Sequence, residues 1–75
     1  MYKLSDLLVG QSCKVTSFNS EGLIRRRLLD MGITTGVKIK LIKVAPLGDP
    51  LEVELRGYNL SIRKAEAQSI NIELI

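Results

Sequence analysis

Apolar and polar residues change period along this chain in a way that separates strands from a helix. Val37-Lys38-Ile39-Lys40-Leu41 alternates apolar and basic residues, the two-residue repeat of a strand with one buried and one solvated face. Leu51-Glu52-Val53-Glu54-Leu55-Arg56 and Tyr58-Asn59-Leu60-Ser61-Ile62 alternate likewise, with Gly57 between them as a tight hairpin requires. The alternation slips at Leu41-Ile42, where the pattern predicts a bulge or a strong bend. Ser12 to Phe18 reads as a first strand, and Ser69 to Leu74, with Ile70, Ile72 and Leu74 on one face, as a last. The pattern therefore predicts five short strands.

Between the first two strands the period lengthens to that of a helix. Asn19-Ser20 supplies an N-cap, and Glu21 stands in the first turn, where the helix dipole favours a carboxylate. The helix is expected from about Glu21 to Met31, with Gly32 as the glycine just past its end. On a helical wheel Ile24, Leu28 and Met31 share the face that should pack on the strands, with Leu23 close to it. Glu21 and Arg25 have the favourable i,i+4 order, and Arg27 is expected to lay its stem over Leu23 and Met31. Leu29 falls on the charged side beside Arg25, Arg26 and Asp30. It is either a lone exposed leucine or an anchor for a partner. Leu4 to Leu8 and Lys64 to Gln68 read as short helical turns, and Ala45 to Pro50 as a loop. Together these predict a mostly β chain: a small SH3-like β-barrel with one short inserted α-helix, its sheet closed so that no strand edge is exposed.

Composition narrows the chemistry. The chain has 75 residues, 45% of them hydrophobic, so residues 1–75 are expected to form a single domain with a thin core. A chain of this size buries roughly 60% of its unfolded surface. Its aromatics are Tyr2, Phe18 and Tyr58, so the core must come from Leu, Ile and Val. Cys13 is alone, which excludes an internal disulfide and favours a buried inert thiol. No run approaches the ~20 apolar residues of a membrane span, and Met1 leads into no signal segment. The expected compartment is the cytosol. There is no histidine, hence neither the commonest general base nor the commonest transition-metal ligand. Glu52 and Glu54 share one strand face about 7 Å apart, which reads as a solvated face before a cation site. The glycines are scattered at turns rather than gathered into a phosphate cradle. The residues therefore point to a binding module rather than an enzyme, with no cofactor and no metal site. The formal charge of +3 permits an acidic partner.

One further signal is a resemblance. Leu23-Ile24-Arg25-Arg26-Arg27-Leu28-Leu29-Asp30-Met31-Gly32-Ile33, followed by Thr34-Thr35-Gly36, resembles the arginine-rich helix of the FeoA family. Ala45-Pro46-Leu47-Gly48-Asp49-Pro50, Arg56-Gly57-Tyr58-Asn59-Leu60-Ser61-Ile62-Arg63, Lys64-Ala65-Glu66-Ala67 and the start from Leu4 to Gly10 are similar to its other segments, in order and over essentially the whole chain. Thr35 departs from the commonest pattern, in which proline precedes the glycine. The resemblance implies an SH3-like barrel and a cytoplasmic role in bacterial or archaeal ferrous iron uptake, peripheral to the membrane through the FeoB permease and its GTP-binding domain. The absence of a winged-helix segment favours this accessory role over a repressor of the DtxR kind. The expected partner face consists of Arg25, Arg26, Leu29 and Asp30 on the helix and Pro46, Leu47, Asp49 and Pro50 in the loop. Three alternatives stand beside it. One is direct transition-metal binding or metal-responsive regulation. Another is a nucleic-acid-binding barrel, for which Lys38, Lys40, Arg25 and Arg26 suit phosphate but only Tyr58 offers a stacking platform. The last is an arginine finger at Arg25 or Arg26. No nucleic acid and no membrane span are expected, and self-association stays open.

Overall fold

The computed structural model describes residues 2–75. Its strands are β1 (Tyr2–Lys3), β2 (Ser12–Phe18), β3 (Lys38–Val44), β4 (Leu51–Leu55), β5 (Tyr58–Ile62) and β6 (Ile70–Leu74). A 3₁₀ turn (Leu4–Asp6) follows β1, helix α1 (Gly22–Asp30) joins β2 to β3, and a single helical turn, α2 (Lys64–Ala67), joins β5 to β6. All neighbouring strands are antiparallel, in the order β1-β6-β2-β3-β4-β5. The mostly β architecture with one short inserted helix is the one the alternation predicts.

Alternation becomes packing directly. Cys13 and Val15, Ile39 and Leu41, and Leu51, Val53 and Leu55 all point into one core, while Lys14, Lys38, Lys40 and Glu54 face outward. The predicted slip is a bulge in β3, where the register against β4 shifts between Leu41 and Lys43. A second register shift lies between Val15 and Ser17 of β2, a strand that pairs with β3 at its start and with β6 along its length. Leu55 pairs with Tyr58 across a two-residue turn, Arg56 at φ 51° and Gly57 at φ 84°. Both are left-handed, as the type I′ hairpin turn demands.

Three expectations change. The two-residue β1 makes a sixth strand beside β6, too short to leave a periodic signal. The sheet is not closed by hydrogen bonds, since β1 and β5 are its two ends. Instead the C-terminal end of α1 is tied to the β5 end of the sheet at two points. The Tyr58 hydroxyl, at the start of β5, donates to the Met31 carbonyl at 2.7 Å. Beyond the end of β5, Arg27 Nε lies 3.4 Å from Glu66 Oε2. The helix is capped differently too: Glu21 is its N-cap, with no side-chain capping bond. Asn19 is drawn elsewhere by β6, where buried Asn71 exchanges hydrogen bonds with it at 3.1 Å and also binds Ser17 Oγ and Lys3 Nζ. Ser20 Oγ is enclosed with no partner.

Cys13 is fully buried in β2, and burial pushes its thiol up from 9.0 to about 11, against a smaller opposing effect of a backbone hydrogen bond with Ile39. The unfolded chain therefore loses this proton at lower pH than the folded chain. The stabilisation is complete below pH 9.0 and is lost as pH rises through about 11. At about 1.4 kcal/mol per unit, the loss approaches 2–3 kcal/mol. Urea unfolding across this range should show that fall in the native chain, and Cys13→Ala should lack that component.

Candidate functional site

Helix α1 owes its position to its C-terminal half. Leu28 is fully buried and Met31 packs half-buried against the core. The chain then stops as a helix should: Gly32 N–H donates to the Leu29 carbonyl and Ile33 N–H to the Leu28 carbonyl, both at 3.0 Å. This is a Schellman cap, with Ile33 and Leu28 both sealed in the core beneath it. The N-terminal half runs free of the sheet. Leu23 is 84% exposed and Ile24 52% exposed, so the expectation that both pack with Leu28 is corrected. They share its side of the wheel, but the helix extends past the surface that could cover them.

The charged side of α1 is rearranged as well. Arg25 places its guanidinium over the Phe18 ring, 5.7 Å from the centroid, rather than pairing with Glu21. Such a contact contributes about 0.5–1 kcal/mol at an exposed site. It also holds the side chain in one place. Arg27 reaches Glu66 of α2 instead of lying over Leu23 and Met31. Arg26 and Asp30 are exposed and form no ion pair among the described residues. Leu29, in their midst, is 40% exposed.

The loop between β3 and β4 supplies the second part. The Ala45 N–H donates to the Pro50 carbonyl and the Gly48 N–H to the Ala45 carbonyl, closing a tight turn. Leu47 stands at its tip, 96% exposed, flanked by exposed Pro46 and Pro50. Asp49 turns the other way: its Oδ1 accepts the Lys64 N–H at 3.0 Å, satisfying a donor at the start of α2. Asp49 therefore has a structural task in fixing the loop.

These contacts bring the two expected segments to one mount. Within the single turn of α2, Lys64 holds the loop through Asp49 and Glu66 holds α1 through Arg27. The other Glu66 oxygen accepts the Arg63 N–H at 3.1 Å, which locks the carboxylate. Sequence reading missed this role of α2, because Arg27–Glu66 and Asp49–Lys64 join positions far apart in the chain. Leu29 and Leu47, the two apolar candidates, are thus both outside the core on elements tied to the same turn. Among the described residues, no three of His, Cys, Asp and Glu gather where they could hold a metal ion. No helix among them is long and apolar enough to cross a membrane.

Comparison with known proteins accords with this architecture. A family model described as the FeoA domain matches residues 2–74. The Fe(2+) transport protein A/Fe(2+) transporter FeoB fusion protein of Porphyromonas gingivalis is 36% identical over 73 residues, which is 97% of this chain and 9% of that protein. The solution structure of FeoA from Chlorobium tepidum superposes with a TM-score of 0.90 at 43% identity, covering 99% of this chain and 70% of that one. The zinc complex of Stenotrophomonas maltophilia FeoA, described as a prokaryotic SH3 domain protein, gives 0.83 at 26% identity, over 97% of this chain and 91% of that one. Sequence and fold agree across nearly every described residue: the chain belongs to the FeoA domain family.

Proposed function

We propose that this chain is a non-catalytic accessory domain of ferrous iron uptake, working in the cytoplasm by docking onto the cytosolic region of FeoB. The observation that carries the reading is the exposure of Leu29 and Leu47, on two elements that α2 ties together. The existence of a relative in which the two names are joined in one polypeptide supports the choice of partner. In this reading Leu29 and Leu47 are the apolar anchors, and Arg26 with the Phe18-stacked Arg25 steers toward an acidic patch. Asp30 completes the helix side of the contact, Pro46 and Pro50 stiffen the loop, and Asp49 keeps it in place. Because the cap, the ion pair and the loop bonds exist before contact, less ordering entropy is lost on docking.

Immobilised chain should recover FeoB from detergent extracts of the source cell. Leu29→Asp and Leu47→Asp, both at exposed positions, should each weaken capture by about tenfold or more while leaving thermal unfolding nearly unchanged. Undiminished recovery by both variants would remove the proposed face.

A further inference from the structure

Two clefts lie at the opposite end of the β3–β4 ladder from the 45–50 loop. The loop 45–50 follows the last residue of β3, whereas the two adjoining clefts open beside its first. Seven residues of strand put about 20 Å between them. One cleft, of about 370 Å³, lies between β3 and the β4–β5 turn; exposed Ile75 supplies its apolar side chain, Lys40 and Glu54 stand among its lining, and Ile39 and Leu55, whose side chains are buried in the core, also border it. The other, of about 500 Å³, runs past Thr35. Lys38 and Arg56 line both.

Arg56 is the informative residue. It occupies the first central position of the hairpin turn at φ 51°, where glycine, asparagine or aspartate would fit with less strain. A long cationic side chain stands there instead. Its Nη2 donates to Thr34 Oγ1 at 3.2 Å, which tethers the guanidinium beside the clefts that Arg56 lines. Among the described residues neither Arg56 nor Lys38 has a carboxylate within ion-pair distance. Both cations line the same two clefts, and Glu54, the acidic side chain in the lining of the first, pairs with neither.

We propose that the joined clefts take a short, extended, acidic segment of a partner protein. A carboxylate lies between Lys38 and Arg56, matching the fork of the guanidinium. The neighbouring apolar side chain lies in the first cleft against exposed Ile75. A compact anion would use only the Lys38 and Arg56 side and would leave the apolar cleft empty; an extended segment fills both. Charge complementarity therefore favours a peptide with alternating acidic and apolar residues. This surface is separate from the α1 and loop face, and its test does not depend on FeoB.

The test is an amide-shift titration of the ¹⁵N-labelled full chain with three probes: the acetylated, amidated peptide Glu-Leu-Glu-Leu-Glu, the same peptide with Gln for each Glu, and sodium phosphate. The acidic peptide should give saturable shifts centred on Thr35, Lys38, Arg56 and Gly57. The Gln peptide should bind about tenfold more weakly or worse, as should Lys38→Gln and Arg56→Gly toward the acidic peptide. Arg56→Gly suits the left-handed turn, so its melting point should not fall. The proposal is overturned if no saturable shifts occur, if both peptides bind alike, or if both variants bind as the native chain does. Phosphate reproducing the same shifts at lower concentration would also overturn it, and would identify a small-anion site.

Discussion

Leu28→Ala is expected to cost the fold about 2–5 kcal/mol, the range for truncating a fully buried leucine. Leu28 is the one residue of α1 that is wholly buried, and it lies under the Schellman cap against Ile33. A domain this small has few kcal/mol to spare, since stabilities run at roughly 0.05–0.15 kcal/mol per residue. The cavity would therefore loosen the seat of α1 on the core and unfold much of the population at ambient temperature. Urea denaturation followed by circular dichroism would show the midpoint fall, while Leu29→Ala, one position along but half exposed, should change it by only a few tenths of a kcal/mol. Equal losses for the two would show that the helix is not seated as described.

Gly32→Ala is expected to cost about 2–3 kcal/mol, from two sources that can be separated. Gly32 has φ 93°, a conformation that strains any residue with a Cβ. The added carbon would also collide with the Tyr58 hydroxyl, whose hydrogen bond to the Met31 carbonyl pins the end of α1 to β5. Tyr58→Phe alone should cost about 1 kcal/mol, the ordinary net value of one hydrogen bond. It also removes the atom that the new Cβ meets. The double variant should therefore be more stable than the sum of the two single losses implies, by about 0.5–1 kcal/mol. Simple additivity would mean that backbone strain alone governs this position.

The parts of the molecule that sequence made legible are those governed by local physics. Alternation placed β3, β4 and β5, its slip found the bulge after Leu41, Gly57 marked the hairpin and Gly32 the end of α1. What it could not show depends on how far a neighbour extends or on pairs distant in the chain. A helical wheel gives the direction of Leu23 and Ile24, not whether the sheet reaches beneath them. It gives Glu21 and Arg25 a favourable spacing without revealing that the Phe18 ring lies closer to hand. Asn19 has the chemistry of an N-cap, but Asn71, which engages it, is 52 positions away. The residues of the proposed docking face divide in the same way. Leu29 and Leu47 stand exposed as their surroundings in the sequence suggested, whereas the mount formed by α2 rests on Arg27–Glu66 and Asp49–Lys64. Neither pair has a local signature.

Arg27–Glu66 is an exposed ion pair on the Arg27 side and adds at most about 1 kcal/mol to stability. Its consequence is orientation. With the Tyr58–Met31 hydrogen bond it fixes the roll of α1, and so the direction in which Leu29 and Arg26 face. In this account stability and recognition draw on different sides of one helix, Leu28 serving the first and Leu29 the second.

The most direct measurement is an amide-shift map of the ¹⁵N-labelled chain titrated with the purified cytosolic region of FeoB. The account predicts that the largest perturbations fall on residues 25–30 and 45–50, and that Leu29→Asp suppresses both sets together. Saturable binding that perturbs other surfaces and leaves those two segments unmoved would contradict it.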